Sequence, residues 1–96
     1  MAVYVDNMLR SARVGRIQSR WSHLVADTSE ELHAFAARLG MRPEWVQYPG
    51  HPREHYDLTE PKRAKAIEMG AVQITYPHGI AEVIARKKST QSGAPQ

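Results

Sequence analysis

Cysteine is absent from this 96-residue chain. That excludes a disulfide framework and any thiolate metal site, so a metal could be held only by histidine, aspartate or glutamate. No apolar run approaches the roughly 18 residues that crossing a bilayer takes. The first residues, Met1-Ala2-Val3-Tyr4-Val5-Asp6, reach an acid at once. They offer neither the basic n-region nor the apolar h-region of a targeting segment. The expectation is a soluble cytoplasmic protein without a membrane partner. Three phosphate and nucleophile signatures are also missing: a phosphate-cradling P-loop, a dinucleotide-binding glycine pattern and a nucleophile elbow. Their absence argues against ATP hydrolysis and nicotinamide chemistry. No helix carries a basic, base-reading face, which argues against direct readout of a DNA major groove. No internal repeat is evident.

The length fits one domain with a single modest core. Hydrophobic residues make up 42%, too high for a disordered chain, and the net charge of +3 permits an anionic partner without demanding one. Residues 2–6 read as a buried strand with Asp6 at its carboxyl end, where ligands bind in open α/β sheets; Asp6-Asn7 also suits a plain turn. Residues 8–20 carry Arg10, Arg13, Arg16 and Arg20. Gly15 and two serines weaken a helix there, so the stretch reads as a long basic loop. Residues 21–27 form a second strand, with His23 and Asp27 on one face but roughly 13 Å apart along it.

Thr28-Ser29-Glu30-Glu31 is a capping box for a helix from about Ser29 to Leu39, closed by Gly40. Leu32, Phe35, Ala36 and Leu39 make its apolar stripe, and His33 lies at the boundary. Residues 44–48 read as a third strand ended by Pro49-Gly50. Thr59 caps a second helix that holds Pro61 in its first turn and ends at Gly70. Residues 71–76 form a fourth strand, Ile80 to Lys87 a last helix, and the rest a polar tail. The expected architecture is a single α/β domain over residues 1–86 with a tail over 87–96. Its element order is β-β-α-β-α-β-α, with a largely parallel four-stranded sheet.

The densest run of chemistry-bearing side chains is His51 to Arg63. If the strands are parallel, their following loops meet at one edge and bring Asp6, Asp27 and the 51–57 loop together. Lys62 and Arg63 in the first turn of the second helix oppose the helix dipole. A local cost of that kind points to an anion, with Tyr56 as a further ligand-binding candidate. Solvated cations beside Glu54 and Glu60 are the plainer account. His55 and Asp57, with Asp6 and His23, supply imidazole and carboxylate of the kind that holds zinc, manganese or iron. Without a metal, Asp57 could orient His55 or His23 as a general base. His23, His55 and Asp57 are therefore the catalytic candidates, and a divalent metal is the candidate cofactor. The expected partner is a phosphate-bearing small molecule or nucleic acid, with metal-assisted phosphodiester hydrolysis as one activity. A non-catalytic adaptor is the rival reading.

Three stretches together carry a resemblance: Met1 to Met8, Trp21-Ser-His-Leu-Val-Ala-Asp-Thr to Ala34, and His55-Tyr-Asp-Leu-Thr-Glu-Pro-Lys-Arg to Ala66 with Gly70-Ala71. They resemble a small uncharacterised family of bacterial and bacteriophage proteins, a domain of unknown function. The resemblance implies a stand-alone small domain. It also implies that Asp6, His23, Asp27, His33, His55, Tyr56, Asp57, Lys62 and Arg63 belong to one pattern. It brings no activity with it.

Overall fold

The computed structural model describes the backbone of residues 2–92 and the side chains of residues 2–89. Its strands are β1 (Val3–Val5), β2 (Arg10–Val14), β3 (Ile17–Ala26), β4 (Tyr56–Leu58) and β5 (Val72–Gln73), and its helices are α1 (Ser29–Arg38), α2 (Glu60–Glu68) and α3 (His78–Ser92). The domain is α/β, but the sheet is mixed and has five strands. β3 pairs antiparallel with β1, β2 and β4, and β1 with β5 is the parallel pair. The largely parallel four-stranded expectation is thus corrected.

The reason lies in the Arg-rich stretch. Residues 10–21 form a tight hairpin, β2 into β3, in place of the expected loop. Gly15 takes the first of its two turn positions with φ +61°, the left-handed conformation that such a turn needs. The hairpin reverses the chain between β1 and the second half of β3, which forces those two to run antiparallel. The expected strand at 44–48 is instead a 3₁₀ turn, Pro43–Trp45, followed by a single bridge from Gln47 to His55. The strand that follows is β4, from the stretch expected to be loop.

Both helix caps form as their sequences dictate. Thr28 Oγ1 accepts from the Glu31 amide at 3.2 Å, and Thr59 Oγ1 from the Lys62 amide at 3.4 Å. α1 and α2 cover one face of the sheet, where Leu32, Phe35, Ala36 and Leu39 bury the apolar stripe against Leu24 and Leu58. Each such large side chain contributes about 1.5–3 kcal/mol by leaving water. α3 covers the other face with Ile80 and Val83 against Tyr4 and Val25. It continues to Ser92, through the first part of the expected tail. The remainder of that tail lies outside the described residues.

Strand alternation divides β3 between these faces. Ser22, Leu24 and Ala26 are buried, while His23 points to the α3 side with Val25. Leu24 pairs with Val5 on one side and Tyr56 on the other, so β1 and β4 flank β3 there. No helix among the described residues is long and apolar enough to cross a membrane.

Candidate functional site

Three neighbouring strands meet at His23. Its cross-strand partner on β4 is Asp57, and the Asp6 amide donates to its carbonyl at 3.2 Å. His55 enters β4 two residues before Asp57, so both side chains lie on the same face. The result is a cluster of His23, His55 and Asp57 with Asp6 directly behind it.

Asp6 is fully buried, and both its oxygens are used. Oδ2 accepts from His23 Nδ1 at 2.6 Å; Oδ1 accepts from the His23 amide at 2.9 Å and from the Met8 amide at 3.3 Å. A carboxylate here accepts only, so the His23 ring presents an N–H at Nδ1. His55 is fixed the same way. Its Nδ1 donates to the Arg53 carbonyl at 2.7 Å, an acceptor with no alternative role. Both Nε2 atoms turn towards Asp57 Oδ1, at 3.9 Å from His23 and 3.5 Å from His55. One donor atom from each of the three residues lies within 4.8 Å of the other two. Bonds of about 2.0–2.1 Å in a tetrahedral site place ligand atoms roughly 3.3 Å apart, so a small inward rotation of the side chains would close the set.

Charge follows the geometry. Burial pulls the His55 imidazole down. The Asp57 and Arg53 hydrogen bonds outweigh it, together with the charges of Asp57 and Asp6, and the group stands above its ordinary value. Asp57 is held below the usual carboxylate range, chiefly by its bond with His55; burial opposes that, and the His55 and His23 charges add to it. The Asp57 side chain is 45% exposed, so the cluster opens to solvent on that side.

The two cations in the first turn of α2 go to different places. Lys62 is not brought to the cluster: its Nζ donates to the Leu39 carbonyl at 2.6 Å, at the carboxyl end of α1. There a positive charge suits the dipole, so the mismatch at the start of α2 serves the neighbouring helix. Arg63 reaches the main chain behind the cluster. Its Nε donates to the Asp6 main-chain carbonyl at 2.8 Å. Tyr56 points the other way, its ring buried and its hydroxyl 2.7 Å from His33 Nδ1. His33 Nε2 in turn faces the buried Glu54 at 3.3 Å. Asp27 accepts from the Ala2 amide and the Tyr4 hydroxyl, both at 2.9 Å, and so ties down the start of β1. It lies at the opposite end of β1 from Asp6 because β1 and β3 are antiparallel. His51 is exposed and accepts from the Arg53 amide through Nδ1.

Sequence reasoning missed three residues around the cluster. Tyr76 stacks on His23 at 5.7 Å between ring centroids, with 26° between planes. Asn7 places that loop by accepting from the Tyr76 amide at 2.7 Å. Tyr48 lies 6.0 Å from the His55 ring, and the two histidines meet edge to face at 5.0 Å. Tyr48, His55, His23 and Tyr76 therefore form one row of rings, with 54% of Tyr48 and 41% of Tyr76 exposed. A signal for both tyrosines exists in the chain. Each precedes a proline, Pro49 or Pro77, which bars the pair from continuing a ladder and leaves the ring in a loop. A cleft of about 380 Å³ lies elsewhere, between the start of α1, the 50–54 loop and Arg86-Lys87.

Residues 3–88 match a family described as a protein of unknown function, DUF4031. No curated protein and no solved structure matches the chain significantly.

Proposed function

The chain belongs to the DUF4031 family, whose description carries no activity, and we propose from the site alone that it is a metal-dependent hydrolase of phosphate esters. The observation that supports this is the shared arrangement of two histidines. Each ties Nδ1 to an oxygen and turns Nε2 towards one exposed carboxylate. Ligating histidines are held this way, by a carboxylate or carbonyl on the far ring nitrogen. His23, His55 and Asp57 would hold the ion, and Asp6 would orient His23. Two imidazoles and a carboxylate suit zinc, manganese or iron(II), and three protein ligands leave a position open for substrate.

A bound divalent ion would polarise a phosphoryl oxygen and render a water acidic enough to attack near neutral pH. In the net reaction a water oxygen bonds to phosphorus, a P–O ester bond breaks, and the departing alkoxide takes up a proton. Arg63, anchored beside Asp6, is the cation positioned to meet the substrate's remaining charge. Tyr48 and Tyr76 wall the opening.

Elemental analysis and calorimetric titration of the chelator-treated protein with zinc, manganese and iron(II) test the reading. One ion per chain is expected for one of these metals, with His23→Ala and His55→Ala losing it. Hydrolysis of a chromogenic phosphodiester should then appear only with the metal-loaded wild type. Equal metal uptake by the wild type and both alanine variants would sink the proposal. A second reading, a non-catalytic binding module, draws on the exposed rings of Trp45 (50%) and Tyr48 (54%). Stoichiometric metal without any hydrolysis would favour it.

A further inference from the structure

The β2–β3 hairpin has an unusual charge pattern. From Asn7 to Ala26 the chain contains four arginines and no acid. Arg20 is taken by Glu60, through Nε to Oε1 at 3.1 Å and through a second guanidinium nitrogen. Arg10, Arg13 and Arg16 are exposed, and no carboxylate pairs with them among the described residues. Val14 and Ile17 at the tip are 58% and 51% exposed.

The ribbon also leads to the cluster. Antiparallel partners share a face of the sheet. Arg10 with Trp21, Ala12 with Ser19, and Val14 with Ile17 therefore lie on the face that continues along β3 to His23. Six residues separate Ile17 from His23, a path of roughly 20 Å at about 3.3 Å per residue. Trp21 Nε1 donates to the Ala12 carbonyl at 2.8 Å, which pins the two strands together along this path. At its end stand the exposed rings of Tyr48 and Tyr76.

We propose that this face binds single-stranded nucleic acid. Arg10 on that face and Arg16 at the turn hold the phosphate backbone, Tyr48 and Tyr76 stack bases, and a phosphodiester comes to rest at His23, His55 and Asp57. The last clause rests on the metal-site reading above; the binding itself does not. Arginine clamps phosphate oxygens with two parallel N–H bonds, and its charge releases counterions from a polyanion. Binding of strands without sequence preference combines these two parts, a basic track and aromatic platforms. A lipid headgroup or an acidic peptide would meet the arginines but give the two tyrosines no flat partner. DNA and RNA strands share the recognised chemistry.

The test uses metal-free full-length protein. Fluorescence anisotropy is read with labelled single-stranded DNA, the corresponding RNA and a duplex over a range of salt. Both single strands should bind in low salt and weaken steeply as salt rises. Combined Arg10→Gln and Arg16→Gln should weaken binding by about fivefold or more. It should also reduce the log–log salt slope by about 1.4, at roughly 0.7 per single-strand phosphate contact. Tyr48→Ala with Tyr76→Ala should weaken binding without changing that slope. Circular dichroism confirms that each variant is folded. A preference for only one of DNA and RNA keeps the proposal and narrows its ligand. No binding in low salt, tighter binding of duplex, or an unchanged slope in the folded double variant would overturn it. Normal zinc uptake with no strand binding removes this inference alone. Strand binding with no metal uptake removes the hydrolase and leaves the arm as a binding module.

Discussion

Asp6 shows how one side chain can organise a site it does not face. It is buried on every side, which is costly for a carboxylate unless its oxygens are satisfied. Three donors satisfy them, two from His23 and one from Met8. Its work is to hold an imidazole in one tautomer and one orientation. Replacing Asp6 by asparagine keeps the shape and one accepting oxygen but removes the charge behind the ring. The proposed metal affinity should then fall by roughly 10–100-fold, the usual cost of losing such a support. The stoichiometry of one ion per chain should persist. Calorimetric titration separates the two quantities. An unchanged dissociation constant would mean that His23 needs no support from Asp6 to bind.

At the scale of elements, β3 is the axis of the molecule, and its two halves were unequally legible. The second half alternates around Leu24 and Ala26 and carries a hydrophobic signal, so the strand at 21–27 was readable. The first half and β2 are exposed on both faces, and such strands leave no period in the sequence. A basic hairpin therefore read as a basic loop. The helices were legible through Thr28, Thr59 and the stripe from Leu32 to Leu39, because caps and period fix a helix locally. Sheet direction was not legible. Assuming parallel strands sent Asp27 to the same edge as Asp6, whereas the hairpin sends it to the other. Asp6 and Asp57 still meet at His23, but through cross-strand register with β3 rather than through loops at a common edge.

Lys62 belongs to this scale too, since it joins the start of one helix to the end of another. Lys62→Met keeps the stem and removes the charge and the bond to the Leu39 carbonyl. Stability should fall by about 0.5–1.5 kcal/mol, the net worth of a partly buried hydrogen bond assisted by a helix end. Neither metal uptake nor strand binding should change. Denaturant unfolding beside the two binding assays checks this. A loss of phosphate-ester hydrolysis out of proportion to the loss of stability would return Lys62 to the site.

Across the whole molecule, the sheet separates two apolar layers, and each layer buries a tyrosine. Tyr4 lies among Val25, Ile80 and Val83 on the α3 side; Tyr56 lies among Leu24 and Leu58 on the other. Burial raises both phenols above their ordinary value near 10, and the hydrogen bond from Tyr4 to Asp27 and the charges of Glu54 and Glu44 near Tyr56 add to it. The sign follows from proton counting. Above about pH 10 the unfolded chain loses protons that the folded chain retains, so the folded state binds more of them and stability falls as pH rises. The contribution is intact below the unfolded value and is lost as pH climbs through the folded one. Lys87, which burial holds below its ordinary value, acts in the opposite sense, so the phenols must be isolated by substitution. Tyr56→Phe should therefore flatten the alkaline limb by up to about 1.4 kcal/mol per pH unit, one proton's worth. It should also lose the hydrogen bond to His33 at all pH values. Urea unfolding from neutral to strongly alkaline pH, with phenolate absorbance followed alongside, gives both terms. An alkaline slope unchanged by the substitution would mean that the Tyr56 phenol ionises as readily in the folded chain as in the unfolded one.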